Sequence, residues 1–285
     1  MCIRDSKEAF PKRYFDVGIA EEHGALFACG LAAEGMKPYI AIYSTFMQRC
    51  IDMIQHDAAL QKLPVRFCMD RAGLSPDDGP THHGLFDIAM IRSIPNIVFM
   101  QPKDEAEFVH MLRTMNHYQN GPTVIRYPRG CGAGVPLPST PEILPIGKAE
   151  VLQTGKDVTL VSLGTMIGIA RETAALLEAQ GHTVTLINAR FIKPLDDECI
   201  RRHAASSRVV CTFEDHSISG GFNSAVLESL EAGGVTTPVE AIAWPDQFIE
   251  HGSEPILRKK YGLTAEAALQ KIIPHLNLSL IHISE

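Results

Sequence analysis

The chain has 285 residues, 45% of them hydrophobic and 21% charged, a length and balance that suit two α/β units with real cores. Its net charge of −7 excludes a general nucleic-acid surface, which needs clustered Lys and Arg. No apolar run approaches the roughly 20 residues that span a bilayer, and no basic stretch followed by an apolar one marks a secretory leader.

In chain order, short β-branched runs alternate with helical patterns. This predicts an α/β fold of two consecutive three-layer domains with mainly parallel sheets. Residues 1–6 ("MCIRDS") and 278–285 ("LSLIHISE") follow no capping or packing logic and are expected to be non-native tails. The first domain is expected over 7–134, with strands at 14–19, 39–43, 65–69, 97–100 and 123–127. Ala20, Gly24, Phe27, Ala28 and Leu31 recur at helical spacing, and 45–62 reads as a helix with Thr45 as its cap. A third helix, 104–117, opens on acidic residues as a helix N-terminus favours. The loop 73–84 is long, polar and rich in Gly, Pro and Asp, the composition of a functional or mobile segment.

Residues 135–146 ("VPLPSTPEILPI") carry four prolines in twelve positions and are expected to form a semi-rigid linker. The second domain, 147–277, repeats the α/β pattern. Its strands are expected at 158–163, 183–188, 209–213 and 239–243, and its helices at 167–180, 196–205, 223–231 and 265–274. Seven cysteines sit singly, several inside apolar runs such as "VRFCMD" and "VVCTF". They are expected to be buried free thiols rather than metal ligands, in a reducing, cytoplasmic setting.

Parallel sheets place ligands at the carboxyl ends of their strands. Five polar clusters of the first half lie just there: "GIAEEHG" (18–24), "YSTFMQR" (43–49), "DRAG" (70–73), "DDGPTHHG" (77–84) and "RYPRG" (126–130). Each also has a plain structural role. Glu21 and Glu22 complement a helix dipole, Tyr43 and Phe46 suit a core, and Arg71 pairs with Asp70. His82 and His83 are ordinary polar loop residues, and Arg126 and Arg129 flank a Pro turn where solvation is common. Together they combine a carboxylate, two aromatics, a His pair and several Arg on one crevice. That mixture suits an anionic, phosphorylated substrate beside an acid/base centre.

The runs "RYFDVGIAEEHGALFACGLAAEGMKPYIAIYSTFMQR" and "LPVRFCMDRAGLSPDDGPTHHGLFD" resemble the 1-deoxy-D-xylulose-5-phosphate synthases, which are transketolase-like thiamine-diphosphate enzymes. The likeness extends over residues 10–276 and implies a pyrimidine-binding domain followed by a transketolase C-terminal domain. It implies a transferase that condenses pyruvate, with decarboxylation, onto glyceraldehyde 3-phosphate for isoprenoid, thiamine and pyridoxal biosynthesis. By resemblance, Glu21 hydrogen-bonds the cofactor's aminopyrimidine and exchanges a proton with it, and Phe46 stacks on that ring. Tyr43, Arg71 and Arg129 hold the acceptor phosphate, with Arg49 beside them, and Asp78 and His82 order the reacting groups, His82 as a catalytic residue. Glu22 and His83 stand where relatives often carry Gln and receive no role. Asp77 before Asp78, and Pro80 in place of a familiar Gln, depart from the family pattern.

The family holds its Mg²⁺ and diphosphate through a Gly-Asp-Gly motif, and no such run occurs in this sequence. That half of the site is therefore expected to lie in an N-terminal domain missing here, and this chain alone is expected to be inactive. A homodimer is implied by resemblance, and "FEDHSISGGFNSAV" (213–226) is expected to serve packing and dimer contact. Two rivals remain: a β subunit of a 2-oxoacid dehydrogenase or split transketolase, and a non-catalytic α/β dimerisation protein. The "DRAG" and "RYPRG" arginines favour a phosphorylated acceptor.

Overall fold

The computed structural model describes residues 3–277, so the expected tail 278–285 lies outside the described residues, as do residues 1 and 2. Among the described residues ten strands form two five-stranded sheets. They are β1 (Tyr39–Tyr43), β2 (Arg66–Asp70), β3 (Val98–Met100), β4 (Thr123–Tyr127), β5 (Glu150–Gln153), β6 (Val158–Ser162), β7 (Val184–Asn188), β8 (Phe191–Lys193), β9 (Val209–Ser217) and β10 (Val239–Trp244). The first sheet runs β1-β2-β4-β3-β8 and the second β10-β9-β6-β7-β5. All pairings are parallel except β3 with β8 and β5 with β7. Strands β3, β6, β7 and β9 are buried along their whole length. The near-continuous apolar runs of β3, β6, β7 and the first half of β9 are what a sheet covered on both faces requires.

The first sheet is completed by the second half of the chain. Strand β8 pairs antiparallel with β3, Phe99 opposite Lys193 and Met100 opposite Phe191. Deep polar contacts reinforce this join. Arg126 on β4, fully buried, meets Asp87 at 3.0 Å and Gln101 at 2.5 Å, and donates to the Gly84 and Asp215 carbonyls. Its expected solvation therefore fails: β4 is an inner strand, and its end is covered by the second half of the chain. Glu107, 2% exposed, likewise takes Asn188 and Arg190 from across the join.

Several other expectations need correction. Residues 14–19 form no strand, because Asp16 Oδ1 takes the Gly18 N–H at 3.0 Å and Gly18 adopts φ +69, a turn that breaks the alternation. The continuous helix 45–62 is broken into Ser44–Met47, a 3₁₀ turn Gln48–Cys50, Ile51–Met53 and a π-helical turn Ile54–Ala59. These changes of winding keep Cys50, Ile54, Ala58 and Ala59 in the core. Thr45 is no cap: it lies inside the first turn and its hydroxyl donates to the Thr81 carbonyl. Helix Glu105–His117 does have a side-chain cap, Asp104 accepting from Glu107 N at 2.8 Å, a contact worth about 1 kcal/mol. Strands β5 and β8 and helices Ile3–Ala9, Asp87–Arg92 and Glu254–Tyr261 have no counterpart among the expected elements, and the first of these helices includes residues 3–6 of the expected tail. Cys29, Cys50, Cys68, Cys199 and Cys211 are buried free thiols, whereas Cys131 is exposed. No helix among the described residues is long and apolar enough to cross a membrane.

Candidate active site

Strands β1, β2 and β4 end in one row, with Tyr43 opposite Asp70 and Asp70 opposite Tyr127. The segments that leave this row carry the candidate residues. Glu21 opens helix Glu21–Ala33, and its Oε1 accepts from Arg49 Nη1 at 2.9 Å. The Glu21 side chain is 13% exposed and that of Arg49 44%. The same guanidinium lies 5.0 Å from the centre of the Phe46 ring. Phe46 in turn meets His82 edge-to-face at 5.3 Å and stacks with Tyr43 at 5.9 Å. Over the other side of Tyr43 lies Arg71, its guanidinium 3.6 Å from the ring centre and paired with Asp70. Glu21, Arg49, Phe46, His82, Tyr43 and Arg71 thus form one unbroken series of contacts.

Arg71 adopts φ +59, an unusual conformation for a residue with a Cβ, and its Nε is buried without a partner. A buried donor left unpaired is suited to an incoming anion. Tight packing holds the turn: Gly84 bridges to Ala72 and Gly73, and a Cβ at Gly84 would meet Ser44 and the Arg71 carbonyl. Arg129 reaches Asp78 at 3.0 Å and Asp77 at 4.0 Å. This pair joins the cluster through the loop backbone, where the Gly79 carbonyl accepts from His82 N at 2.9 Å.

Every cluster guanidinium already faces a carboxylate: Arg49 with Glu21, Arg71 with Asp70, Arg129 with Asp78. An exposed pair contributes about 0–1 kcal/mol, so exchanging Asp78 for a phosphate dianion costs Arg129 little. Guanidinium forks match phosphate oxygens bidentately, which favours the exchange.

The residues fit one end of thiamine diphosphate. A partly buried carboxylate joined to the Phe46 ring through Arg49 matches an aminopyrimidine, which needs a hydrogen-bond partner at its ring nitrogen and an aromatic neighbour. The diphosphate end finds no such match: among the described residues no group of three or more His, Cys, Asp or Glu side chains is placed to hold a metal ion.

Behind the site stands a buried polar layer of which sequence reasoning assigned little. His83, 3% exposed, has its pKa lowered by burial. Ser44 donates to Asp87 at 2.9 Å, next to Arg126. From the second half, Glu214 accepts the Phe222 and Asn223 N–H groups, and burial pushes its pKa up to about 7. His216 accepts the Ala89 N–H and donates to the Ser217 carbonyl, and burial lowers its pKa to about 4. Segment 213–226 therefore packs against the back of the candidate site. The signal in sequence is the polar run Glu214–Ser217 that follows the apolar part of β9, where the Asp215 carboxylate accepts the Leu74 N–H.

Residues 3–133 match the transketolase pyrimidine-binding domain family and residues 147–267 the transketolase C-terminal domain family. The 1-deoxy-D-xylulose-5-phosphate synthase of Methylacidiphilum infernorum is 55% identical over 269 residues, covering 93% of this chain and 42% of the relative. That of Acidobacterium capsulatum is 54% identical, covering 94% and 43%. The chain thus spans about two fifths of the length of these relatives. Among solved structures, a split-gene transketolase described as an inactive β4 tetramer superposes with a TM-score of 0.84 at 33% identity, covering 96% of this chain and 87% of that one. The transketolase of Campylobacter jejuni, at 18% identity and a TM-score of 0.75, shares the fold.

Proposed function

The chain belongs to the transketolase-like thiamine-diphosphate enzymes, in the company of the 1-deoxy-D-xylulose-5-phosphate synthases, and from this we propose that it supplies the aminopyrimidine and acceptor-phosphate half of such a synthase site. The reaction would join the two-carbon unit of decarboxylated pyruvate to glyceraldehyde 3-phosphate. The observation that carries this reading is the contact of Glu21 with an arginine that also covers Phe46.

The cofactor, when bound, supplies the electron sink for decarboxylation. Glu21 would hold the aminopyrimidine end of the cofactor at its ring nitrogen and serve as the proton-exchanging group there, for which Arg49 must give up Oε1. Phe46 offers the stacking face. Arg71 and Arg129 bind the acceptor phosphate, with Tyr43 supporting the Arg71 guanidinium, and Arg49 stands where it can follow either anion. His82, edge-on to Phe46, faces the reacting groups and exchanges protons with the acceptor oxygen, with Asp78 ordering the same loop. The described residues offer no group for Mg²⁺, so in this reading the diphosphate and metal would be held from outside them and the chain alone would turn nothing over. Assembly as a homodimer and a cytoplasmic location belong to the same proposal.

A second reading, the β subunit of a split transketolase, is favoured by the 33% identity and matching length of the split-gene neighbour. Pyruvate separates the two. Combined with the remaining part of the M. infernorum relative, the chain should consume pyruvate and glyceraldehyde 3-phosphate together. Consumption of ketose phosphates with pyruvate untouched would support the split transketolase instead. No reaction with either donor, and no heat of binding with glyceraldehyde 3-phosphate, would leave a non-catalytic dimerisation role.

A further inference from the structure

The loop 73–84, which carries Asp78 and His82, is tied to the second half of the chain at two buried points. At one, His83 Nδ1 accepts the Ser75 N–H at 3.0 Å. That acceptor role places the ring hydrogen on Nε2, which donates to the Glu250 carbonyl at 3.3 Å. The imidazole therefore closes the loop on itself and pins it to the far unit in one step. At the other, one oxygen of Asp215 accepts the Leu74 N–H at 3.3 Å and its partner oxygen accepts the Trp244 indole N–H at 2.6 Å. Arg258 balances this carboxylate at 3.5 Å. Gly73 makes the approach possible: its φ is +85, and a Cβ there would occupy the place of the Asp215 carboxylate. Between the anchors Gly79 runs against His251.

We propose that His83 is a positioning residue, a donor–acceptor wedge through which the second unit sets the loop bearing Asp78 and His82, with Asp215 as the second anchor. The proposal rests on reading that loop as the substrate-facing one, although the tether itself needs neither cofactor nor substrate. Only a neutral ring offers one acceptor and one donor in this arrangement, and the burial that lowers the imidazole pKa supports that form. An imidazolium would set two N–H groups against each other at Ser75. Loops open locally at a rate set by such buried hydrogen bonds, so losing both frees the segment while leaving the sheets intact.

The test uses the chain as it stands and its single tryptophan, Trp244. His83→Leu keeps bulk and removes both hydrogen bonds, whereas His83→Gln retains one acceptor and one donor. Amide exchange over residues 74–83 should accelerate about tenfold in His83→Leu, with β6 and β9 amides unchanged, and should stay within about threefold of the parent in His83→Gln. Asp215→Asn should speed exchange at the Leu74 amide and shift Trp244 emission, and it decides the matter if His83→Leu does not fold. Parent-like loop exchange in His83→Leu, or His83→Gln exchanging as fast as His83→Leu, overturns the proposal, as does an unmoved Leu74 amide in Asp215→Asn. In the enzyme combined with the remaining part of the M. infernorum relative, His83→Leu should lower kcat with the KM for pyruvate unmoved, and His83→Gln should restore it. Equal activity in His83→Leu and parent overturns it too. Turnover absent from the parent counts against the synthase reading alone, because the exchange measurements decide the tether without it.

Discussion

Arg49 donates to Glu21 Oε1 at 2.9 Å while its guanidinium lies 5.0 Å from the centre of the Phe46 ring, so one cation serves both the carboxylate that opens helix Glu21–Ala33 and the aromatic that follows β1. If Glu21 exchanges a proton with the cofactor, its acidity matters and its shape alone does not. Glu21→Gln keeps the shape and is expected to lower kcat of the combined enzyme by about 10²- to 10⁴-fold, the usual worth of a general acid–base group. Steady-state turnover of pyruvate checks this.

Arg71 is expected to act on the acceptor alone. Arg71→Met should raise the KM for glyceraldehyde 3-phosphate by about tenfold to a hundredfold and leave that for pyruvate within error, because a charge-assisted bidentate contact is lost on one substrate only. Calorimetric titration of the chain with glyceraldehyde 3-phosphate provides the same comparison without turnover. An equal rise for both substrates would place Arg71 outside the phosphate site.

Arg126 makes a stability prediction rather than a kinetic one. It is fully buried, satisfies Asp87, Gln101 and the Gly84 carbonyl within its own unit, and reaches the Asp215 carbonyl across the join. Arg126→Met strands the Asp87 carboxylate and is expected to cost about 3–5 kcal/mol, read as a lower urea midpoint at unchanged slope.

Glu214 and His216 make opposite pH predictions. Burial raises the Glu214 pKa from 4.5 to about 7, so the folded chain holds a proton there that the unfolded chain has released. The stability from that proton is fully present below pH 4.5 and is lost as pH rises toward 7. Burial lowers the His216 pKa from 6.5 to about 4, so its stability is present above pH 6.5 and is lost as pH falls toward 4. Arg126 and Arg92 oppose the rise at Glu214, while at His216 Asp87 opposes the fall and Arg126 adds to it; neither shift is reversed, and the two groups lie 3.8 Å apart. Between about pH 4.5 and 6.5 the two slopes oppose each other. Glu214→Gln should therefore make stability rise more steeply with pH across that window, and His216→Asn should make it fall. Urea titrations at three pH values suffice to see either.

Much of the fold was legible because its signals are local. The runs at 39–43 and 123–127 are apolar and β-branched, and they form β1 and β4 with those bounds. The run at 14–19 looks similar but is undone by the turn at Asp16 and Gly18, whose effect depends on side-chain hydrogen bonding that periodicity does not register. Strand β8 has three residues and gains its identity only from pairing with Phe99 and Met100 in the other unit. The site divides in the same way. Glu21, Phe46, Arg49 and Arg71 follow strand ends or open a helix, places where motif order is informative. The work of His83 and Asp215 was hidden because their partners lie 167 and 141 residues away. Arg126 carries no local sign of burial, because only its flanking Pro turn is visible in sequence.

The most direct measurement is formation of 1-deoxy-D-xylulose 5-phosphate from pyruvate and glyceraldehyde 3-phosphate by this chain combined with the remaining part of the M. infernorum synthase, whose own matching segment serves as the positive control. Product is expected with the parent chain, and formation at least about 10²-fold slower with Glu21→Gln. No product while the control segment reconstitutes activity, or a Glu21→Gln chain as active as its parent, would contradict the proposed function.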